Sequence, residues 1–288
     1  MSTEGGYDQE RGVGLRVAFQ GERGAFSEEA AVQFFGGQIE LVPRPSFEAL
    51  YSAIDDGVAD VLLAPIENSL AGTVQRSCDL LLARKLTIQG EVVIPIMMCL
   101  IGAPGARWED IRSVESHPVA LAQCENFLSE QPHIRRIVAE DTAGSVRNIV
   151  QGKDASRAAI AGRYAATFYG GVILREHVED NRENYTRFLL LSRSMEIPRG
   201  ANKLSLVLHL AHRPGSLHEA LEPFAKRKID LLRIESRPIQ GRPWEYRFYL
   251  DLAASTQDPE VSAALEELRA RRNEIAVLGC YVAAKIAV

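Results

Sequence analysis

Between Leu15 and about Arg193, short apolar runs alternate with stretches of helical spacing. Leu15, Val17 and Phe19 alternate along a run that ends at Gly21, which predicts a buried strand. Phe47, Leu50, Tyr51 and Ile54 share one helical face that stops at Gly57, a natural C-cap. Residues 61–65 then read as a second buried strand. Strand, helix and strand at this spacing predict a largely parallel sheet. A related phrase recurs, with Val146, Ile149 and Val150 on a helical face that stops at Gly152 and leads into a strand over 157–161. Two copies are too few for a solenoid. They suit two similar α/β lobes with a cleft between them. Ligand sites in open α/β sheets favour loops beyond the carboxyl ends of strands, here residues 20–27, 67–73 and 162–164.

Residues 195–202, with Pro198, Arg199 and Gly200, read as a linker. Beyond it the pattern predicts a strand over 204–210, a helix over 215–228, strands over 231–236 and 245–252 joined across the Pro238–Gly241–Pro243 turn, a helix over 258–272 and a closing strand over 275–283. Asp258 is the expected N-cap of the second helix, with Pro259 at its first position. This order is βαββαβ, the ferredoxin-like split unit. It carries no acid–base pair or nucleophile elbow, so regulation or assembly suits it better than catalysis.

Composition narrows the function classes. The 288 residues allow two domains, each large enough for an ordinary core. With 33 basic and 38 acidic side chains the net charge is −5, which offers no long-range pull toward nucleic acid or an anionic membrane. The polar first 14 residues have no apolar stretch for a signal peptide. The most apolar segment, 92–103, is far short of the ~18–20 residues that span a bilayer, so a cytoplasmic protein is expected. Cys78, Cys99, Cys124 and Cys280 are scattered and read as buried thiols rather than ligands. His209, His212 and His218 approach metal-ligand spacing, but the alternation before them predicts a strand end and a turn. No metal is expected.

Four segments could carry chemistry. Gln20-Gly21-Glu22-Arg23-Gly24-Ala25-Phe26-Ser27 joins a strand to a helix whose N-terminus offers N–H groups to an anion. Its glycine spacing departs from the dinucleotide fingerprint, which leaves a carboxylate site or an ordinary turn capped by Ser27. Pro65-Ile66-Glu67-Asn68-Ser69 runs from a strand into small polar side chains that bond without adding charge, or that cap the next helix. Ser116-His117-Pro118 stands at a helix entrance with Gln123 and Cys124 about two turns in, where Ser116 also reads as a plain N-cap. Asn184, Tyr185, Thr186 and Arg187 precede an apolar strand, and an arginine there suits a forked carboxylate contact.

In this order and at these separations, the four segments closely resemble the monofunctional prephenate dehydratases with a C-terminal ACT regulatory domain. The resemblance runs from about Leu15 to Ala283. It implies a two-lobed, periplasmic-binding-protein-like catalytic domain over 15–194, a linker over 195–201 and an ACT domain over 202–284. It further implies decarboxylative dehydration of prephenate to phenylpyruvate in phenylalanine biosynthesis, driven by aromatisation and needing no cofactor. Thr186 matches the family residue tied to the leaving hydroxyl. Asn68, Ser69, Ser116 and Gln123 match substrate-contacting positions, and Arg187 is the expected anchor for the pyruvyl carboxylate. The family's ACT domains bind L-phenylalanine through two segments. These are Gly215-Ser216-Leu217-His218 here, altered at two of four positions, and the intact Glu235-Ser236-Arg237-Pro238. Gly215, Leu217, Glu235, Ser236 and Arg237 are the expected effector contacts. A homodimer or homotetramer through the ACT unit is also implied.

Three rivals stand beside this reading. Arogenate dehydratase performs the same elimination on a substrate with an amine in place of the keto group. An anionic pocket for that ammonium would discriminate, and no spare carboxylate is legible beside Arg187. A non-catalytic two-lobed sensor would not need Thr186 and Asn68 together. A nicotinamide oxidoreductase is disfavoured by the Gly21–Gly24 spacing. The ~14 residues before Leu15 are too few for the long helices of a chorismate mutase, so prephenate made elsewhere is the expected substrate.

Overall fold

The computed structural model describes residues 14–239, 241–271 and 273–285. The amino-terminal segment read above, Gln240 of the predicted turn and Arg272 at the predicted helix end lie outside the described residues. The chain divides into two compact units. One takes Val92–Leu189 and the described residues before Arg84, and the other takes Arg84–Glu91 with Leu190 onward.

The first sheet begins with β1 (Leu15–Gln20), which is followed by α1 (Phe26–Phe35), β2 (Ile39–Arg44), α2 (Phe47–Ser52) and β3 (Val61–Asn68). β1 pairs in parallel with both β2 and β3, as the apolar rhythm predicts. Val17, Ala18, Phe19, Leu62, Leu63 and Ala64 are fully buried, which is why these strands read as continuous apolar runs. The two-residue β4 (Gly72–Thr73) turns back antiparallel onto the end of β3, and α3 (Gln75–Arg84) and β5 (Thr87–Pro95) follow. The strand order is β2-β1-β3-β11-β5, where β11 (Tyr185–Ser192) arrives from far along the chain.

Between β5 and β11 the chain builds a second lobe: β6 (Cys99–Gly102), β7 (Ser113–Ser116), α4 (Pro118–Ala122), α5 (Glu125–Ser129), β8 (Arg135–Val138), α6 (Thr142–Gly152), β9 (Arg157–Ala161), α7 (Arg163–Tyr169) and β10 (Val172–Arg175). Its sheet runs β10-β6-β9-β7-β8, with β7 parallel to β8 and β9. The chain crosses between the lobes twice, at 96–98 and at 176–184. The repeated helix–glycine–strand phrase is thus one helix per lobe feeding a central strand. Gly152 is the last residue of α6, and the left-handed position falls one residue later, on Lys153.

The carboxyl-terminal unit is βαββαβ, as read: β12 (Lys203–His209), α8 (Ser216–Lys226), β13 (Leu231–Ile239), β14 (Arg242–Leu252), α9 (Pro259–Ala270) and β15 (Glu274–Tyr281). The antiparallel order is β13-β14-β12-β15. Leu204, Leu206 and Leu208 of β12 and Leu250 and Leu252 of β14 face both helices to form the core. Asp258 caps α9 by accepting from the Glu260 amide at 2.9 Å, and Pro259 fills the first position, where no N–H is needed.

Arg84–Glu91 packs with this unit because its polar groups find partners there. Lys203 Nζ reaches both Glu91 carboxylate oxygens at 3.0 Å, the Ala284 amide donates to the same carboxylate, and Gln89 donates to the Ser194 carbonyl. Gly279 of β15 lies against Ile88, where a Cβ would fall 2.9 Å from the Ile88 amide nitrogen and inside contact distance of its carbonyl oxygen. Main chain cannot rotate away as a side chain does. Gly279→Ala is therefore expected to lower stability by about 1–3 kcal/mol, read as a reduced thermal midpoint with the secondary-structure content by circular dichroism unchanged.

Candidate functional site: a chain of carboxamides between two lobes

The first segment does not form an open anion cradle. Glu28, fully buried in α1, folds back so that its own carboxylate accepts the Gly24 amide at 2.8 Å and the Arg23 Nε hydrogen at 2.9 Å. The carboxylate thus closes the loop just ahead of the helix onto the helix's own first turn. The N-cap position belongs to Ala25, and Ser27 lies buried inside the first turn instead of capping it. Ala25 inserts into the apolar core of the second lobe beside Cys99, Ala143 and Ala165. Gly24, at φ +84°, comes so close to Ala165 that a Cβ would stand 3.0 Å from its Cα. The Arg23 guanidinium lies over the Phe168 ring at 4.7 Å, and Arg147 pairs with Glu22 at 2.8 Å. This loop joins the lobes.

The polar residues after β3 gather around the second crossing. The Asn68 side-chain oxygen accepts the Leu70 and Ala71 amides at 3.0 and 2.8 Å, which closes the tight turn between β3 and β4. Its nitrogen donates to Asn184 Oδ1 at 2.7 Å, to Thr186 Oγ1 at 3.0 Å and to the Tyr185 carbonyl at 3.1 Å. Ser69 Oγ donates to the Glu183 carbonyl and accepts the Tyr185 amide. Neither side chain caps α3; both are committed to the strand start of β11. Asn184 in turn donates to Gln123 Oε1 at 3.1 Å, and its carbonyl accepts the Ile96 amide at the first crossing.

The structure thus joins Asn68, Ser69, Thr186 and Gln123 in one hydrogen-bonded set, through a residue outside the candidate list. Asn184 is 1% exposed and links a strand end of the first lobe to the helical turn of the second. Its signal in the sequence was its place two residues before Thr186, although a lone asparagine there also reads as a turn residue. Ser116 stands in the second sheet, fully buried, and donates to the Ile160 carbonyl at 2.6 Å. The N-cap of α4 is His117, whose Nδ1 accepts the Val119 amide at 3.3 Å, which corrects the capping role read for Ser116. Arg187 Nη1 lies 3.7 Å from Glu67 Oε2, so a carboxylate does stand beside the expected anchor.

In the βαββαβ unit, a cavity of about 350 Å³ opens between the end of β12 and the start of α8. It is lined by Leu210, Pro214, Ser216, Tyr246 and Phe248, among others. Phe248 pairs across the sheet with Ser236 and Tyr246 with Pro238, so Ser236 shares the cavity's face of the sheet. Gly215, in the left-handed region, sets the turn into α8, and Leu217 packs on the core beneath. Glu235 and Arg237 alternate to the opposite face. His218 is exposed on α8 and is not part of the lining.

A prephenate dehydratase family profile matches residues 17–196, and an ACT domain profile matches 205–270. The Arabidopsis thaliana arogenate dehydratase/prephenate dehydratase 1 is 41% identical over 283 residues, covering 93% of this chain and 72% of that protein. The bifunctional chorismate mutase/prephenate dehydratase of Neisseria gonorrhoeae is 34% identical over 268 residues, covering 93% of this chain and 74% of its own length. Among solved structures, the Arthrobacter aurescens prephenate dehydratase in complex with L-Phe superposes with a TM-score of 0.84 at 32% identity, covering 93% of this chain and 90% of that one. GqqA, described as a quorum-quenching acylase, superposes with a TM-score of 0.85 at 33% identity, covering 93% and 98%.

The thiols near the site are unreactive by construction. All four cysteines are free and buried. Burial pushes the Cys99 thiol up to about 11 and the Cys124 thiol up to about 12, the latter with help from the negative charge of Asp180. At pH 7.5 both are then overwhelmingly protonated, and the thiolate is the reactive form. The native protein is expected to react with a thiol-specific chromogenic reagent at least about a hundredfold more slowly than the unfolded chain; absorbance stopped-flow with and without denaturant checks this.

Proposed function

We infer, because the chain belongs to the prephenate dehydratase family, that it is a carbon–oxygen lyase that converts prephenate to phenylpyruvate in phenylalanine biosynthesis. The observation that carries the chemistry is the bond from Asn68 Nδ2 to Thr186 Oγ1. Loss of carbon dioxide and hydroxide aromatises the ring, so the barrier lies in expelling a poor leaving group. A donor aimed at the departing oxygen is the main requirement. Thr186 accepts from Asn68, which leaves its own hydroxyl hydrogen to donate a hydrogen bond to the departing hydroxide, or to relay a proton to it, and makes that hydrogen a better donor. A threonine hydroxyl is too weak an acid to give its proton up outright. A cation held hard against the ring carboxylate would stabilise the ground state more than the transition state. Asn68, Gln123 and Thr186 are all neutral, which suits that demand. Arg187 takes the pyruvyl carboxylate, while Ser69 and Ser116, expected as substrate contacts, act instead by holding the Glu183 and Ile160 main chain in place, Ser116 being fully buried.

A second reading has one observation in its favour. Glu67 beside Arg187 forms a carboxylate–guanidinium pair that matches a zwitterionic amino-acid end, with the ammonium on Glu67 and the carboxylate on Arg187. That end belongs to arogenate, and relatives named arogenate dehydratase are among the similar proteins. The acylase likeness does not alter the reading. The Ser116 hydroxyl hydrogen is committed to a main-chain carbonyl, and the Cys99 and Cys124 thiols stay protonated.

The catalytic domain spans 15–194, and a linker over 195–201 leads to the ACT domain at 202–284. L-Phenylalanine is the effector. Its ring fits the apolar cavity walled by Tyr246 and Phe248, with Gly215, Leu217 and Ser236 at its margin; Glu235 and Arg237 act from the other face of β13. The two changed positions then have unequal weight, since Ser216 lines the cavity and His218 does not. The protein works in the cytoplasm as a homodimer or homotetramer assembled through the ACT domain. No described helix is long and apolar enough to cross a membrane.

Purified protein with prephenate at neutral pH is expected to form phenylpyruvate, followed by its absorbance, with kcat/KM for prephenate and arogenate measured side by side. Thr186→Ala is expected to lower kcat by roughly 100-fold or more, the usual weight of a positioned proton donor, with KM within a few-fold. An unchanged kcat would remove Thr186 from the chemistry. Ser236→Ala is expected to raise the phenylalanine concentration for half-inhibition severalfold while leaving the uninhibited rate alone. An identical response would take Ser236 out of the effector site.

A further inference from the structure

We propose that Asn184 is a positioning residue that sets which way the Gln123 carboxamide points, and so turns a hydrogen-bond donor toward the substrate's oxygens. The proposal rests on the dehydratase reading. Two main-chain groups set the direction of every bond in the set. The Leu70 and Ala71 amides can only donate, so the Asn68 atom facing them is its oxygen. The NH2 end of Asn68 must then face Asn184 and Thr186. A donor arriving from Asn68 demands the oxygen of Asn184, which sends the Asn184 NH2 toward Gln123. The Gln123 atom that meets it must be Oε1, and its Nε2 is turned the other way.

Each carboxamide fixes the next, and the chain ends in donors at both extremes: the Thr186 hydroxyl and the Gln123 NH2. A substrate with two carboxylates and a hydroxyl presents acceptors to both. Asn184 cannot make either contact itself, because it is 1% exposed and its carbonyl is also held by Ile96. It acts through Gln123 and Asn68.

The exchange Asn184→Asp separates this role from a merely structural one. The carboxylate still accepts from Asn68, so the Thr186 end is preserved. It repels Gln123 Oε1 and is satisfied only when Gln123 turns over, presenting an acceptor to the substrate. At neutral pH, KM is expected to rise about tenfold, the weight of one charge-assisted hydrogen bond, with kcat within about threefold of wild type. As pH falls through the ionisation of the new carboxyl, the protonated acid can donate to Gln123 and accept from Asn68, and KM should return toward the wild-type value. Glu67, Arg187, Asp180 and Glu183 lie on the same segments and are common to both proteins, so the wild-type profile, with the uncatalysed rate subtracted at each pH, accounts for them.

A wild-type KM in Asn184→Asp at neutral pH, or a raised KM that does not recover at lower pH, would overturn the proposal. Thermal unfolding is run on the same samples. Should Asn184→Asp not fold, Asn184→Ala carries the test: KM rises and kcat falls severalfold, with no recovery at low pH, whereas unchanged constants overturn the assignment. Failure of wild-type protein to consume either substrate would instead overturn the dehydratase reading on which the proposal stands.

Discussion

Two main-chain amides, those of Leu70 and Ala71, hold the oxygen of Asn68, and the polar architecture of the cleft follows from that constraint. A carboxamide has distinct donor and acceptor ends, so fixing one end decides the other. The tight return of β4 onto β3 places those amides where they are needed. The donor and acceptor ends of Asn184 and Gln123 are then decided, and Thr186 is left with its hydroxyl hydrogen to donate. The result is a set of neutral groups whose hydrogens are directed without the help of a charge, in a reaction whose leaving carboxylate must not be clamped.

The same segment that carries this chain also holds the lobes together. Asp180 accepts the Glu125 and Asn126 amides while its own amide donates to the Gln123 carbonyl, and Glu179 accepts the Met98 amide. Four residues later, Asn184 and Tyr185 are bonded to the first lobe. The second joint is the loop after β1, where Ala25 is buried in the other lobe's core and the Glu28 carboxylate holds Gly24 and Arg23. What reads as an anion loop is spent on joining lobes. Small residues there serve close approach, which is packing rather than recognition.

In the carboxyl-terminal unit, the alternation along β13 assigns the Glu-Ser-Arg-Pro segment to two different faces. Ser236 lies on the face of Phe248 and Tyr246, which wall the cavity, and Glu235 and Arg237 lie on the other. A motif contiguous in sequence is therefore split in space by the two-residue period of a strand. That division separates residues that can meet a ligand directly from residues that shape the sheet behind it.

Much was legible before any coordinates. Apolar periodicity located β1, α2, β3, α6 and β9, and the βαββαβ order followed from caps and turns such as Asp258-Pro259, because these signals are local and their physics acts within a few residues. The residues Asn68, Gln123 and Thr186 could be singled out by type and spacing. Their orientation could not, nor could the role of Asn184, since hydrogen-bond partners 61 and 116 residues apart are brought together only when the chain crosses twice between lobes. Glu67 beside Arg187 was hidden for the same reason: the two belong to different strands. The sequence by itself determined which elements form and which side chains are chemically available. The tertiary structure decided which of them meet and which atom each presents, because a hydrogen bond is settled by distance and direction in space.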